Sequence, residues 1–185
     1  MLMRRAFWFL RHGETDWNAR NLSQGNIDIP LNEVGRAQAI TAARLLRNRG
    51  IRSIVSSPLS RAHDTAVVAA KEIGRDVSLE AELREVAFGE QEGKPMGDWY
   101  DDWIAGTYLP EGAEPFAELR ARAVRALNLA LAFESPVLVV AHGGLFRAVR
   151  AEMGLAPNVR TPNATPFFCE PGRGEADPWV LTAAT

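Results

Sequence analysis

The chain has 185 residues with 21 basic and 23 acidic side chains, a net charge of −2 that excludes the broad basic footprint of a nucleic-acid binder. A hydrophobic fraction of 46% and a charged fraction of 24% are those of an ordinary globular protein, and the length fits one domain over residues 1–185. One cysteine, Cys169, excludes an intramolecular disulfide framework and points to a reducing, cytoplasmic setting.

Arg4 and Arg5 precede the apolar run Ala6–Leu10, which is too short for a signal-peptide core of about 7–15 residues. It reads instead as a buried strand ending in Arg11-His12-Gly13. No stretch approaches the ~20 apolar residues of a membrane span, so no membrane partner is expected. Residues 14–30 are polar and read as a long loop. A helix follows from Leu31 to about Arg49, with Leu31, Val34, Ala37 and Leu45 at helical spacing and Gly50 as its stop. Ile51–Val55 reads as a second strand. Ser57-Pro58 then offers an N-cap and a first-turn proline for a helix running to Ile73, with Ala62, Ala66, Ala69 and Ile73 on one stripe.

Val77–Leu79 is a weak strand. Residues 86–114 are glycine- and proline-rich and read as irregular, with a short cap or insert around 93–115. Trp99 and Trp103, four apart, predict a short helix within it. A helix from Pro115 to Phe133 turns Phe116, Leu119, Ala123, Leu127 and Ala130 inward. The most continuous apolar strand, Val137–Ala141, ends in His142-Gly143-Gly144 and leads to a helix from Leu145 to Met153. Two final strands are expected near Pro166–Cys169 and Trp179–Leu181. The alternation predicts an α/β fold, a three-layer sandwich whose central, mostly parallel mixed sheet has helices on both faces and an antiparallel edge.

Ligands in such sheets bind beyond the carboxyl ends of the strands. Here those ends carry Arg11 and His12, the Ser56-Ser57-Pro58 turn leading to Arg61, and His142 with Gly143 at a helix start. That set suits a phosphoryl group. Arginine forks pair with its oxygens, a helix N-terminus adds N–H donors, and a neutral imidazole is a nucleophile at pH 7. An acid is also needed to protonate the leaving oxygen.

Arg11-His12-Gly13-Glu14-Thr15 resembles the signature of the histidine phosphatase superfamily, the phosphoglycerate-mutase-like family. Trp17-Asn18 and Gln24-Gly25 look like its phosphate-loop positions, and Ser57 to Ala66 looks like its second-arginine motif. Leu83-Arg84-Glu85, Phe88-Gly89 and Glu92-Gly93 are similar to its acidic-loop motif, and Ala141 to Gly144 to its second-histidine motif. The motifs occur in family order from residue 7 to about 150. The resemblance implies that His12 becomes phosphohistidine and that Arg11, Arg61 and His142 hold the phosphoryl oxygens. It implies Asn18, Gln24, Gly25 and Gly143 as further substrate contacts and Glu85 as the acid and base. It implies no metal and no cofactor.

Against this, Glu82, Glu90 and Glu92 compete with Glu85 as ordinary solvated carboxylates. His63 reads as a solvent-facing helix residue and Cys169 as a small buried strand residue. Gly172-Arg173-Gly174 reads as a turn rather than a dinucleotide fingerprint. Many family members have Gly-Glu-Ser before the long helix, where this chain has Ala113-Glu114-Pro115. The short, acidic segment from Lys94 to Glu118 favours a phosphatase over a mutase and, if it covers the site, disfavours a second substrate phosphate. Trp99, Tyr100, Trp103 and Tyr108 are candidates for an aromatic lining. The expected partner is a small phosphorylated metabolite, a homodimer is left open as the assembly, and the alternatives are a phosphoglycerate-mutase-type phosphotransferase or a non-catalytic phosphate-binding protein.

Overall fold

A computed structural model describes all residues, 1–185. Six strands form one mixed sheet: β1 (Phe7–Arg11), β2 (Ser53–Ser56), β3 (Val77–Leu79), β4 (Val137–Ala141), β5 (Pro166–Glu170) and β6 (Val180–Ala183). Their order is β3-β2-β4-β1-β5-β6. The first four strands run parallel, and β5 and β6 close one edge antiparallel, as the helix-length and short connections require. Six helices accompany them: α1 (Asp16–Ala19), α2 (Glu33–Leu46), α3 (Ser60–Ile73), α4 (Trp99–Ala105), α5 (Phe116–Leu131) and α6 (Gly143–Glu152). No helix is long and apolar enough to cross a membrane.

Strand alternation divides the core into two layers. Phe7, Phe9, Val137 and Val139 face α5 and α6, while Trp8, Leu10, Leu138 and Val140 face α2 and α3. The sequence-derived stripe of α5 is buried throughout, at Phe116, Leu119, Ala123, Leu127 and Ala130. The stripe expected for α2 is not the buried one. Val34 is exposed, Ala37 is exposed, and the packed face is Gly35, Ala39, Ala42, Ala43 and Leu46. Small residues win there because the first turn of α2 lies against the 13–14 backbone, where a Cβ on Gly35 would fall 2.0 Å from the Glu14 carbonyl oxygen.

Several local readings change. The 14–30 segment contains α1, nucleated by a capping box in which Thr15 and Asn18 bond each other's backbone N–H groups. Helix α3 begins at Ser60 rather than beside Pro58, with Leu59 at the cap position, so Ser57 does not cap it. Its hydroxyl is engaged elsewhere. The 86–114 segment contains α4 and a 3-10 turn at Gly89–Gln91, and a second such turn, Ala81–Leu83, precedes it. Trp103 is buried on α4 and its indole N–H donates to the Glu114 carbonyl at 2.9 Å, which makes it core rather than lining. Cys169 is buried on β5, and Gly172 to Gly174 forms a turn whose carbonyls accept from Arg4.

Candidate active site

The parallel register assembles the site. Arg11 on β1 pairs with Ala141 on β4, and the His12 N–H donates to the Ala141 carbonyl at 3.1 Å. The residues just past both strand ends, His12 and His142, therefore emerge side by side, with ring centroids 5.3 Å apart. On the other flank of β4, the Ser57 N–H donates to the Val140 carbonyl at 3.0 Å, which brings the start of the Arg61 segment to the same place.

His12 is held in one tautomer. Its Nδ1 lies 2.7 Å from the Gly13 carbonyl, which can only accept, so Nδ1 carries the proton and Nε2 keeps its lone pair. Burial, joined by the charges of Arg11 and Arg61, holds the imidazole well below its ordinary pKa, so the ring is neutral at pH 7. Gly13 must be glycine, since a Cβ there would sit 2.4 Å from the Gly35 carbonyl oxygen. Burial likewise holds His142 well below its ordinary value, reinforced by Arg61, His12 and Arg11.

Three buried side-chain nitrogens near these rings have no partner in the chain: Arg11 Nε, Arg61 Nε and His142 Nδ1. The arginines are not free forks. Arg61 donates from Nη1 to the Ile27 carbonyl at 2.7 Å and from Nη2 to the Gly25 carbonyl at 2.8 Å, which ties down the 25–27 turn. Arg11 donates from Nη1 to the Thr161 carbonyl at 2.7 Å. Each guanidinium is therefore clamped by backbone and keeps a buried N–H without a partner. Burial pushes Arg11 down to about 10, with the nearby Glu85 opposing that fall.

Glu85 has a structural role as well. Its Oε1 accepts from the Val86 and Leu145 N–H groups at 2.9 and 2.7 Å, and its Oε2 from the Gly144 N–H at 2.8 Å. It thereby caps α6, whose own N-cap residue, His142, supplies no side-chain bond. Of the competing carboxylates, Glu92 braces the Asn26 and Phe88 N–H groups, Glu82 pairs with Arg125, and Glu90 lies beside Tyr108.

Arg11, Asn18, Gln24, Gly25, Glu85 and Gly143 line one small, polar pocket. His12, Arg61 and His142 are buried next to that wall, adjacent in the chain or hydrogen-bonded to residues of it. Asn18 Oδ1 accepts from Asn163 Nδ2 at 3.2 Å, and Gln24 Oε1 accepts the Thr15 hydroxyl at 2.6 Å. All nine residues singled out from the sequence are thus brought together. The acidic 94–118 segment covers the site differently from expectation. Only Met96 and Tyr100 of it line the pocket, while Glu114 pairs with Arg122 and Asp101 accepts from Asn158. Trp99, Trp103 and Tyr108 are absent from the wall, so only Tyr100 of the four aromatic candidates lines the pocket.

Sequence reasoning missed Ser57, whose Oγ lies 2.7 Å from His142 Nε2, because Ser-Pro reads as a helix start. It also missed Arg147, a pocket residue whose guanidinium stacks over Tyr100 at 4.8 Å. Its position one helical turn after Gly143 was the available signal.

The family model described as histidine phosphatase superfamily (branch 1) matches residues 7–163. Glucosyl-3-phosphoglycerate phosphatase of Mycobacterium tuberculosis is 34% identical over 179 residues, covering 85% of this chain and 79% of the relative. The probable phosphoglycerate mutase GpmB of Yersinia pestis is 38% identical over 148 residues, covering 74% and 68%. Among solved structures, a mycobacterial glucosyl-3-phosphoglycerate phosphatase in complex with VO3 superposes with a TM-score of 0.80 at 33% identity, covering 97% of this chain and 98% of the other. TTHB049 from Thermus thermophilus does so with a TM-score of 0.76 at 27% identity, covering 98% and 100%.

Proposed function

The chain belongs to the histidine phosphatase superfamily and is a phosphatase of a small phosphorylated metabolite, and we propose that it works without a metal through a phosphohistidine on His12. One observation carries this reading: buried, unpartnered donors on Arg11, Arg61 and His142 surround a neutral imidazole whose Nε2 keeps its lone pair. Each orphaned donor costs about 1–3 kcal/mol unless something accepts from it, and a phosphoryl group accepts from all three.

In the first step the Nε2 lone pair of His12 attacks phosphorus, and the bond from phosphorus to the ester oxygen breaks. Glu85, as the carboxylic acid, gives its proton to the departing alkoxide. In the second step water attacks the phosphohistidine, its proton passes to the Glu85 carboxylate, and the phosphorus–nitrogen bond breaks to release inorganic phosphate. Arg11, Arg61, His142 and the N-terminus of α6 neutralise the oxygens throughout, with Asn18, Gln24, Gly25 and Gly143 completing the pocket. A free, buried thiol at Cys169 supports a cytoplasmic setting.

The test is hydrolysis of p-nitrophenyl phosphate in EDTA beside a quench trap for acid-labile phosphoenzyme. Activity that survives EDTA, with a phosphoenzyme absent in His12→Gln, is the expected result. Loss of turnover in EDTA, or turnover by His12→Gln within tenfold of the wild type, overturns the mechanism.

A further inference from the structure

Arg122 is a buried arginine on α5, outside the pocket wall and outside every motif used above. Its Nε and Nη2 grip Glu114 through both carboxylate oxygens, at 2.8 and 2.7 Å. The same guanidinium donates from Nη1 to the carbonyls of Glu82 at 2.6 Å and Arg84 at 2.8 Å, and from Nη2 to the carbonyl of Glu85 at 3.4 Å. Three contacts thus run along the backbone that delivers Glu85. Glu114 is itself anchored, its N–H donating to the Ala87 carbonyl at 2.8 Å and its carbonyl accepting the Trp103 indole.

Glu85 follows the 3-10 turn Ala81–Leu83 and lies in no regular element, so sheet and helix hydrogen bonds do not set its backbone. We infer that Arg122 and Glu114 are positioning residues that hold the Glu85 carboxyl at the leaving oxygen. The inference rests on Glu85 being the acid of the reaction. A planar, five-donor group suits this task, since one side of the fork can chelate a carboxylate while the other satisfies diverging carbonyls. A carboxyl that drifts by about 1 Å costs on the order of 100-fold in the step it assists. The glutamate of the Ala113-Glu114-Pro115 stretch thereby acquires a role.

The leaving group separates this role from general stabilisation. A p-nitrophenolate departs without a proton, whereas the alkoxide of glycerol 3-phosphate needs one. The quantity to read is kcat/KM, which reports the first chemical step, for both esters with wild type, Glu85→Gln, Arg122→Met and Glu114→Gln. Glu114→Gln keeps one acceptor for Arg122 and decides the matter if Arg122→Met does not fold. The ratio of kcat/KM for glycerol 3-phosphate to that for p-nitrophenyl phosphate is expected to fall about 10- to 100-fold in both positioning variants, parallel to Glu85→Gln. A fall of that ratio in Glu85→Gln but not in a folded Arg122→Met or Glu114→Gln overturns the positioning role and leaves the acid in place. An unchanged ratio in Glu85→Gln overturns both.

Discussion

The Ser57 hydroxyl oxygen lies 2.7 Å from Nε2 of His142 and also accepts the Leu59 N–H at 3.3 Å. With the hydroxyl proton donated to Nε2, the His142 proton resides on Nδ1, the atom left without a partner. A residue just past the end of one strand thus orients a ring at the end of another. Ser57→Ala is expected to lower kcat/KM about 100-fold, the usual effect of losing one oriented donor, and to destabilise the fold by ~1–3 kcal/mol. Steady-state kinetics and urea denaturation check the two effects, and Ser57→Cys, retaining a weak donor, should fall between.

Two buried neutral imidazoles make stability depend on pH. His12 and His142 both titrate well below 6.5 in the folded chain and near 6.5 when unfolded. Below pH 6.5 the unfolded state therefore binds more protons, so unfolding free energy is fully present above that pH and is lost as pH falls. The slope reaches ~1.4 kcal/mol per pH unit for each histidine. Urea denaturation between pH 5 and 7 should show it, and His142→Gln should remove about half of the slope.

Arg61 satisfies two backbone carbonyls as well as bordering the pocket wall. Arg61→Lys keeps the charge but cannot reach the Gly25 and Ile27 carbonyls together, so the loop they belong to loosens. The expected outcome is a loss of about 2–5 kcal/mol in stability with at least a tenfold weaker Kd for inorganic phosphate. Calorimetric titration with phosphate and thermal unfolding test it.

A methyl group at Gly144 would fall 2.6 Å from Glu85 Oε1 and 2.8 Å from Val86 Cγ1. Gly144→Ala must push Glu85 away from the helix terminus it caps. A fall of about 100-fold in kcat on alkyl phosphates is expected, with loss of roughly 1 kcal/mol of stability from the cap. Kinetics beside a denaturation curve distinguish this from unfolding.

Vanadate adopts the five-coordinate geometry of the phosphoryl transition state, so it should inhibit competitively and bind at least about 100-fold tighter than phosphate. Inhibition lost in His12→Gln would tie the effect to the proposed nucleophile.

The chain itself determined which residues meet at the site. Arg11, His12, Arg61, Glu85 and His142 sit at strand ends or in the segments that follow them, and parallel strands joined by helices must bring such ends to one edge. The stripe of α5 and the strands β1 and β4 were equally legible, because burial writes a period of 3.6 or a continuous apolar run into the sequence. The face of α2 was not, since alanine and glycine carry little hydrophobic signal and close backbone approach chose the packed side. Only the tertiary structure decided what each polar group does. That Arg61 holds carbonyls of Gly25 and Ile27, that Ser57 orients His142, that Glu85 caps α6 and that Arg122 grips the Glu85 backbone are contacts between segments distant in sequence. Hydrogen-bond partners are set by register and packing in three dimensions, and no local spacing encodes them.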